Sequence, residues 1–131
     1  MIIDTNVYGV MVVDRSRAKD LLAHDTRIGI PLPVIAELRS GFVRGTRLVE
    51  NELILTRLLA QHTTRILSPK LETTNMYAEL QEYAKSRGRI LSNNDVWIAA
   101  LAREDGDVLV TYDKDFMIFQ ELFGNKLKIL S

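Results

Sequence analysis

Four acidic residues stand where this sequence could perform chemistry, and each lies at the boundary of a predicted element. Asp4 follows a short apolar segment at the start of the chain, and Asp113 follows an apolar run that ends at Val110. Glu37 lies near the beginning of one predicted helix, and Asp95 lies just before another. In a parallel α/β sheet, the carboxyl ends of the strands share one edge with the amino ends of the helices that follow them. We therefore expect the four carboxylates to converge at that edge.

Each of these acids also has a purely structural interpretation when it is considered alone. Asp4 could form a turn or cap the next helix, and Glu37 could be a solvated helix residue. The S-x-x-D capping-box pattern would explain Asp95, and a turn would explain Asp113 together with Asp115. The coincidence of all four acids at one edge favours a common site over four independent structural roles.

Clustered carboxylates restrict the chemistry that such a site could perform. They repel one another and cannot all stay ionised without a cation. The sequence contains no cysteine and only two histidines, so the ligands would be oxygen atoms, which suit Mg²⁺ or Mn²⁺. Such an ion lowers the pKa of a bound water and holds the oxygens of a phosphodiester during in-line attack. No covalent nucleophile and no glycine-rich phosphate loop is evident, so the pattern favours metal-assisted phosphodiester hydrolysis.

The elements that would position these acids alternate between short apolar segments and helical patterns. Strands are predicted at Ile2-Ile3, Arg27–Ile30, Thr63–Leu67, Val108–Val110 and Leu127–Leu130. Helices are predicted at Asp14–His24, Val34–Val43, Leu48–Gln61, Met76–Ala84, Val96–Ala102 and Met117–Phe123. The segment VWIAALA is apolar on every side, which indicates a helix buried all round. The alternation predicts one α/β domain over residues 1–131, with a mainly parallel sheet.

Composition excludes several other classes of protein. The chain is 47% hydrophobic and 26% charged, which is ordinary for a globular domain, and no apolar run reaches the roughly 18 residues of a membrane span. The absence of cysteine excludes disulfides and thiolate metal sites. The starting segment MIIDTNVYG has no basic region ahead of its acid and does not resemble a signal peptide. We therefore expect a cytoplasmic protein without membrane association.

Charge is balanced overall but unevenly distributed along the chain. Seventeen basic and 17 acidic residues give a formal net charge of zero, which argues against a nucleic-acid coat protein held by charge alone. Arginines predominate between Arg27 and Ile66, whereas acids predominate between Asp95 and Asp115. Two solvated faces would explain this distribution, and so would an acidic pocket with a basic rim. In the second interpretation, the substrate backbone would contact the arginines that follow Glu37, namely Arg39, Arg44 and Arg47.

Four motifs in order along the chain resemble those of the PIN-domain ribonucleases. They are DTN at Asp4–Asn6, AEL at Ala36–Leu38 with Gly41 after it, NDVWIAALA at Asn94–Ala102, and LVTYDKDF at Leu109–Phe116. The chain length and the NDVWIAA segment are most similar to the VapC-type toxins of bacterial type II toxin–antitoxin pairs. Each motif is weak alone, whereas four motifs in this order and at these intervals are specific.

The resemblance implies a PIN-like three-layer α/β/α sandwich and Mg²⁺- or Mn²⁺-dependent endonucleolytic cleavage of RNA. By motif, the family's catalytic and metal-binding acids correspond to Asp4, Glu37, Asp95 and Asp113. Asp115 corresponds to a further acid that binds metal in many members. Polar positions that orient acids or water correspond to Thr5, Asn6 and Thr111.

The resemblance also implies partners, namely an RNA substrate, a second copy of the chain in a homodimer, and an inhibitory antitoxin protein. The segment from Leu48 to Leu59 has more leucines than one core stripe requires, so it could supply an apolar contact for the antitoxin. A dimer interface or ordinary core packing would explain the same leucines.

Three other functions stay open at this point. A PIN nuclease with a housekeeping role in RNA processing would have the same catalytic residues. A receiver-type signalling domain is also small, α/β and Mg²⁺-binding, but it needs an acid pair after the first strand, and Asp4 has no acidic neighbour. A protein that only binds RNA or a partner would not cleave RNA when Mn²⁺ is added.

Overall fold

A five-stranded parallel sheet forms the centre of the protein in the computed structural model, which describes residues 1–131. The strands are β1 (Ile2–Ile3), β2 (Ile28–Pro31), β3 (Thr64–Leu67), β4 (Leu109–Thr111) and β5 (Leu127–Ile129). Their order, β3-β2-β1-β4-β5, places the first strand in the middle, and the chain winds outward from it in both directions. Open α/β sheets bind ligands beyond the carboxyl ends of the strands at such a reversal, which here lies between β1 and β4.

Seven α-helices connect and flank the strands. They are α1 (Thr5–Val13), α2 (Arg15–Leu22), α3 (Leu32–Arg44), α4 (Leu48–Leu59), α5 (Leu71–Ser86), α6 (Asn93–Asp105) and α7 (Gln120–Phe123), with 3₁₀ turns at Lys114–Phe119 and Gly124–Lys126. Together with the sheet they form the three-layer α/β/α sandwich that the sequence predicts. None of the helices combines the length and the apolar character that a membrane crossing requires.

The hydrophobic core surrounds α6 and the three inner strands of the sheet, β2, β1 and β4. Ile2 and Ile3 of β1 are completely buried, and burial of side chains of this size contributes about 1.5–3 kcal/mol each. In α6 the buried residues fall on all sides of the helix, as the apolar segment predicts: Val96, Ile98, Ala99, Ala100, Leu101 and Ala102. Gly106, with φ of 87°, ends α6 in the left-handed conformation that glycine adopts readily.

Several predicted boundaries are wrong, and the largest difference is a helix that the pattern did not indicate. α1 has the sequence TNVYGVMVV, which is apolar on most sides, so it lacks the alternation of polar and apolar faces that marks a surface helix. Asp14 ends α1 and its side chain caps α2, so the helix predicted over Asp14–His24 is shorter. The helix predicted from Met76 begins earlier, in α5, and the one predicted over Met117–Phe123 is divided into the end of a 3₁₀ turn and the short helix α7.

Candidate active site

Asp4 lies between β1 and α1 and is the buried centre of the predicted site. Only 4% of Asp4 is exposed, and its backbone is extended where the helix begins. Oδ1 accepts a hydrogen bond from the Thr5 backbone N–H at 2.7 Å, and Oδ2 accepts one from Thr111 Oγ1 at 2.7 Å. The Asp4 N–H donates to the Val110 carbonyl at 3.1 Å, which ties the segment to β4. Asp4 is thus both the helix cap and the most deeply placed of the four acids.

Glu37 joins Asp4 through a neighbouring threonine. It lies in the second turn of α3, where Oε2 accepts a hydrogen bond from Thr5 Oγ1 at 2.7 Å. Oε1 accepts a hydrogen bond from Asn94 Nδ2 in the first turn of α6. Thr5 therefore contributes its backbone to one acid and its hydroxyl to another. Sequence reasoning did not assign Asn94 a role, although its place beside Asp95 in the NDVWIAALA motif was a usable signal.

Asp95 occupies the first turn of α6. Ser92 caps this helix, since its side-chain oxygen accepts a hydrogen bond from the Asp95 N–H at 3.2 Å. Asp95 can therefore be part of a helix cap and of the site at the same time. Its backbone N–H donates to the Ser92 cap, and its carboxylate lies beside Asp4.

Asp113 is held next to Asp4 by Thr111, the last residue of β4. The Thr111 hydroxyl is buried, donates to Asp4, and accepts a hydrogen bond from the Asp113 N–H at 2.9 Å. Asp113 Oδ1 in turn accepts from the Asp115 N–H at 2.9 Å, which caps the following 3₁₀ turn. The Asp115 side chain itself is exposed. Asp113 thus lies within the group, whereas Asp115 lies at its outer edge.

Asn6 forms a side-chain hydrogen bond to the backbone beside the site and not to any of the four acids. Its Oδ1 accepts a hydrogen bond from the Tyr112 N–H at 3.1 Å, which fastens α1 to the segment after β4. The Tyr112 hydroxyl accepts from Arg17 Nη1 at 3.0 Å. The Arg17–Tyr112 contact had no signal in the sequence, because the two residues are 95 positions apart.

Two of the four carboxylates, Asp4 and Asp95, have pKa values that are raised by their surroundings. Burial raises the pKa of Asp4 above its usual value, and repulsion from Glu37 and Asp113 adds to the effect, while hydrogen bonds from Thr111 and Thr5 oppose it. Burial also raises the pKa of Asp95, to about 6, with further contributions from Asp4, Asp113 and Glu37. Four acids from four separate elements are thus brought to one edge of the sheet, as the sequence predicts.

The donor set suits a hard divalent cation, since it consists of carboxylate and hydroxyl oxygens. In this conformation, however, no three acidic or histidine side chains are grouped closely enough to hold a metal ion. Neutral donors occupy the carboxylates instead, because Thr5, Asn94 and Thr111 bond to Glu37 and Asp4. The chemistry of the residues fits Mg²⁺ or Mn²⁺, because a cation offsets the mutual repulsion of neighbouring carboxylates.

The three arginines that follow Glu37 differ in their surroundings. Arg39 pairs with Glu52 at 2.6 Å, and Arg47 pairs with Glu50. Arg44 pairs with no carboxylate, and its Nη1 donates to Ser40 Oγ at 3.0 Å. Of these three arginines only Arg44 lines a cavity together with one of the four acids, Glu37; the cavity has a volume of about 460 Å³, and we call it the α3 cavity. Its polar and glycine lining consists of Thr5, Glu37, Ser40, Gly41 and Arg44.

Comparison with known proteins identifies the family of the chain. The model of the PIN domain matches residues 1–121. Ribonuclease VapC2 of Rickettsia felis is 32% identical over 92 residues, which cover 70% of this chain and 67% of that protein.

Solved structures show the same relationship. VapBC2 from Rickettsia felis, bound to a promoter DNA fragment, has a TM-score of 0.76 at 26% identity, over 98% of this chain and 96% of that one. VapBC-5 from Mycobacterium tuberculosis, a member of the VapBC family of toxin–antitoxin systems, has a TM-score of 0.64 at 25% identity, over 80% of this chain and 82% of that one. The resemblance drawn from the four motifs is confirmed: the chain belongs to the PIN-domain family.

Proposed function

We propose that this protein is the ribonuclease toxin of a toxin–antitoxin pair. It would be an endonuclease that hydrolyses RNA with Asp4, Glu37, Asp95 and Asp113 as its catalytic acids. One observation carries the proposal. Carboxylates from four separate elements meet at the reversal of the sheet with no cationic side chain bonded to them, and their proximity helps to raise the pKa of Asp95 to about 6. A fold tolerates unneutralised acids of this kind where they serve a reaction. The name of the Rickettsia relative, a ribonuclease, supports the choice of substrate.

The four acids would hold Mg²⁺ or Mn²⁺, with Asp115 as an outer contributor. When bound, such an ion supplies a water of lowered pKa and positive charge beside the phosphodiester oxygens. The chain's own polar groups act on the acids. Thr111 fixes Asp4 relative to Asp113, and Thr5 fixes Glu37 relative to Asp4. These hydrogen bonds hold the carboxylates in place before substrate arrives, which limits the reorganisation that the reaction requires.

An antitoxin and a second copy of the chain complete the proposal. The Mycobacterium neighbour belongs to a toxin–antitoxin system, which supports a protein partner for this chain. The outer surface of α4 exposes several large apolar side chains, namely Leu48 at 45%, Val49 at 80%, Leu53 at 49% and Ile54 at 40%. This surface is the one for which the leucine pattern predicted a partner, and only Leu55 of α4 is fully buried. Bacterial RNA is cytoplasmic, so the proposed location is the cytoplasm.

Cleavage of a single-stranded RNA by the purified chain tests the proposal. We expect fragments in the presence of Mn²⁺ or Mg²⁺ and none with a chelator, and we expect Asp4→Asn to bind RNA without cutting it. Intact RNA under all metal conditions would favour a protein that only binds RNA.

Growth of bacteria that express the chain separates a toxin from a housekeeping nuclease. We expect arrest with the wild-type chain, no arrest with Asp4→Asn, and relief when the protein encoded just upstream is expressed too. Arrest that persists with Asp4→Asn would mean that the toxicity is not nucleolytic. Cleavage in vitro without any arrest would favour the housekeeping role.

A further inference from the structure

Gly41 lies inside α3, where glycine is a poor choice for the helix itself. A glycine in a helix interior destabilises it relative to alanine, because its backbone loses more freedom on folding. Gly41 does not have a positive φ, and a Cβ placed on it would meet no atom within 4 Å. Neither the backbone conformation nor the packing of this protein therefore requires glycine at position 41.

Gly9 in α1 has the same properties, so a helical glycine alone is not an indication of a site. The position of Gly41 is what distinguishes it. Gly41 follows Glu37 by four residues and lines the α3 cavity together with Glu37 and Thr5. Residues at positions 37, 41 and 44 share one face of a helix, and Glu37 and Arg44 are separated by about 10 Å along its axis. The α3 cavity thus extends from an acid of the candidate active site to a basic residue, across a position without a side chain.

Arg44 supplies a positive charge at the far end of the α3 cavity. Its guanidinium bonds to the neutral Ser40 hydroxyl, whereas Arg39 and Arg47 are paired with glutamates. Long side chains on a helix lean toward its amino end, so Arg44 leans in the direction of Glu37. Its charge is therefore available to an anion in the cavity.

We propose that the α3 cavity is a subsite for the sugar–phosphate backbone of an RNA strand, beside the phosphodiester that is cut. Arg44 contacts a neighbouring phosphate, and Gly41 permits the strand to approach the helix more closely than any side chain would allow. The inference rests on the proposed ribonuclease function and deepens it. A cavity with the Arg44 guanidinium at one end and Glu37 of the candidate active site at the other fits a strand that continues from that site along α3.

Substitution of the two helical glycines tests this role with a matched control. We compare Gly41→Ala and Gly41→Leu with Gly9→Ala and Gly9→Leu, in the full-length chain. All four should keep or raise the melting temperature, since alanine and leucine favour helices. Affinity for a fluorescein-labelled single-stranded RNA is measured in the Asp4→Asn background, which prevents cleavage.

We expect Gly41→Leu to raise Kd about tenfold or more by a clash with the strand, and Gly41→Ala to raise it about two- to threefold. The Gly9 variants should stay within about twofold of their parent. With Asp4 restored, Gly41→Leu should raise KM more than it lowers kcat, because it blocks binding of the strand and leaves the acids in place.

Arg44→Ala provides an independent measurement. Loss of one phosphate contact should weaken RNA binding and reduce the slope of log Kd against log salt by about one. Arg44→Ala and Gly41→Leu should also be non-additive, because both act on the same part of the strand.

Several outcomes would overturn the inference. They are equal RNA affinity of Gly41→Leu and its parent, an unchanged salt slope in Arg44→Ala, or a melting temperature lowered in both Gly41 variants. An effect of Gly41→Leu only on inhibition by the antitoxin would assign the cavity to a protein partner and contradict it too. Absence of cleavage by the wild-type chain would instead contradict the proposed function, so the two can fail separately.

Discussion

Acidic side chains gather at both ends of the same parallel sheet, under opposite electrostatic conditions. At the amino ends of the strands, the Met1 ammonium lies 3.0 Å from both Asp25 and Asp107, and Arg65 lies 3.4 Å from Asp107. A hydrogen bond from the Arg27 N–H and another from Met1 lower the pKa of Asp25 to about 2. Burial alone would raise the pKa of Asp107, but hydrogen bonds from Met1, Val108 and Arg65 outweigh it and lower the pKa.

At the carboxyl ends, the four acids have neutral hydrogen-bond donors and other acids as neighbours but no positively charged partner, and the pKa values of Asp4 and Asp95 are raised. The same residue type therefore stabilises the fold at one end of the sheet and strains it at the other. This difference teaches that the chain can neutralise its acids where they serve structure. The four that it leaves without a positively charged partner are those that we propose to bind a cation.

RNA cleavage should show the largest difference between substitutions at the two ends of the sheet. Asp95→Asn removes one carboxylate from the site and should lower RNA cleavage by at least about a hundredfold, because alignment and charge at the reacting phosphate are lost together. Asp107→Asn changes the same residue type at the other end and should retain cleavage within about twofold. Initial rates at saturating metal measure both, with circular dichroism to verify folding. Comparable losses in the two variants would remove the functional distinction between the ends.

Stability without metal should change in opposite directions. At pH 7.5 with a chelator, Asp95→Asn should stabilise the protein by about 1–2 kcal/mol, after allowance for the partial exposure of Asp95. This corresponds to roughly 4–7 °C in melting temperature for a chain of this size. Asp107→Asn should lower the melting temperature, since it weakens contacts to Met1 and Arg65.

The stabilisation expected from Asp95→Asn should depend on pH, and the raised pKa of Asp95 gives the direction of that dependence. The pKa of Asp95 is 3.8 unfolded and about 6 folded, so the folded state binds the extra proton between these values. Stability from this group is fully present below pH 3.8 and is lost as the pH rises through about 6. The difference in melting temperature between Asp95→Asn and wild type should therefore be small near pH 4 and largest above pH 6. A difference that does not vary with pH would contradict the raised pKa.

A cation should relieve the strain that distinguishes the carboxyl end. At ten times its Kd, Mg²⁺ or Mn²⁺ should stabilise the wild-type chain by about 1.4 kcal/mol, or roughly 5 °C, because it binds the folded state alone. Asp4→Asn should show little of this shift, and Asp107→Asn should show all of it. Differential scanning fluorimetry at constant ionic strength makes the measurement. An equal shift in all three proteins would indicate binding outside the four-acid group.

Substitution of Asp115, at the outer edge of the four-acid group, should have the smallest effect on RNA cleavage. Its side chain is exposed, and its recorded bond to Asp113 uses the backbone N–H, which Asp115→Asn retains. We expect a loss of cleavage of about tenfold, the lower end of the range for a group that acts through a neighbouring metal ligand. A loss as large as that of Asp95→Asn would place Asp115 among the principal acids.

The convergence of the acids could be predicted from sequence because it depends on topology. Asp4 and Asp113 each follow a parallel strand, and Glu37 and Asp95 each lie in the early turns of a helix, so the α/β alternation alone determines their common edge. The partners that fix them could not be predicted. The bond from Asn94 to Glu37 and the distinction between Arg44 and Arg39 depend on side-chain packing between separate helices.

Local pattern also failed where the surroundings determined the structure. The valine-rich segment of α1 shows no helical stripe, yet capping by Asp4 and packing of Val7 and Tyr8 against the core make it a helix. Tertiary contacts override propensity in such a segment. The roles of the acids and of Thr5, Asn6 and Thr111 in cleavage stay predictions until the variants are measured.

The bond between Thr111 and Asp4 spans 107 positions of the chain, and β4 must enter the sheet beside β1 before that bond can form. A ribosome that has not yet translated β4 therefore carries a chain with Asp4, Glu37 and Asp95 but without the strand that unites them with Asp113. Contacts of such long range also form late in folding, since closing a large loop is slow. We therefore expect the group of four acids to be complete only after β4 has been translated and has joined the sheet.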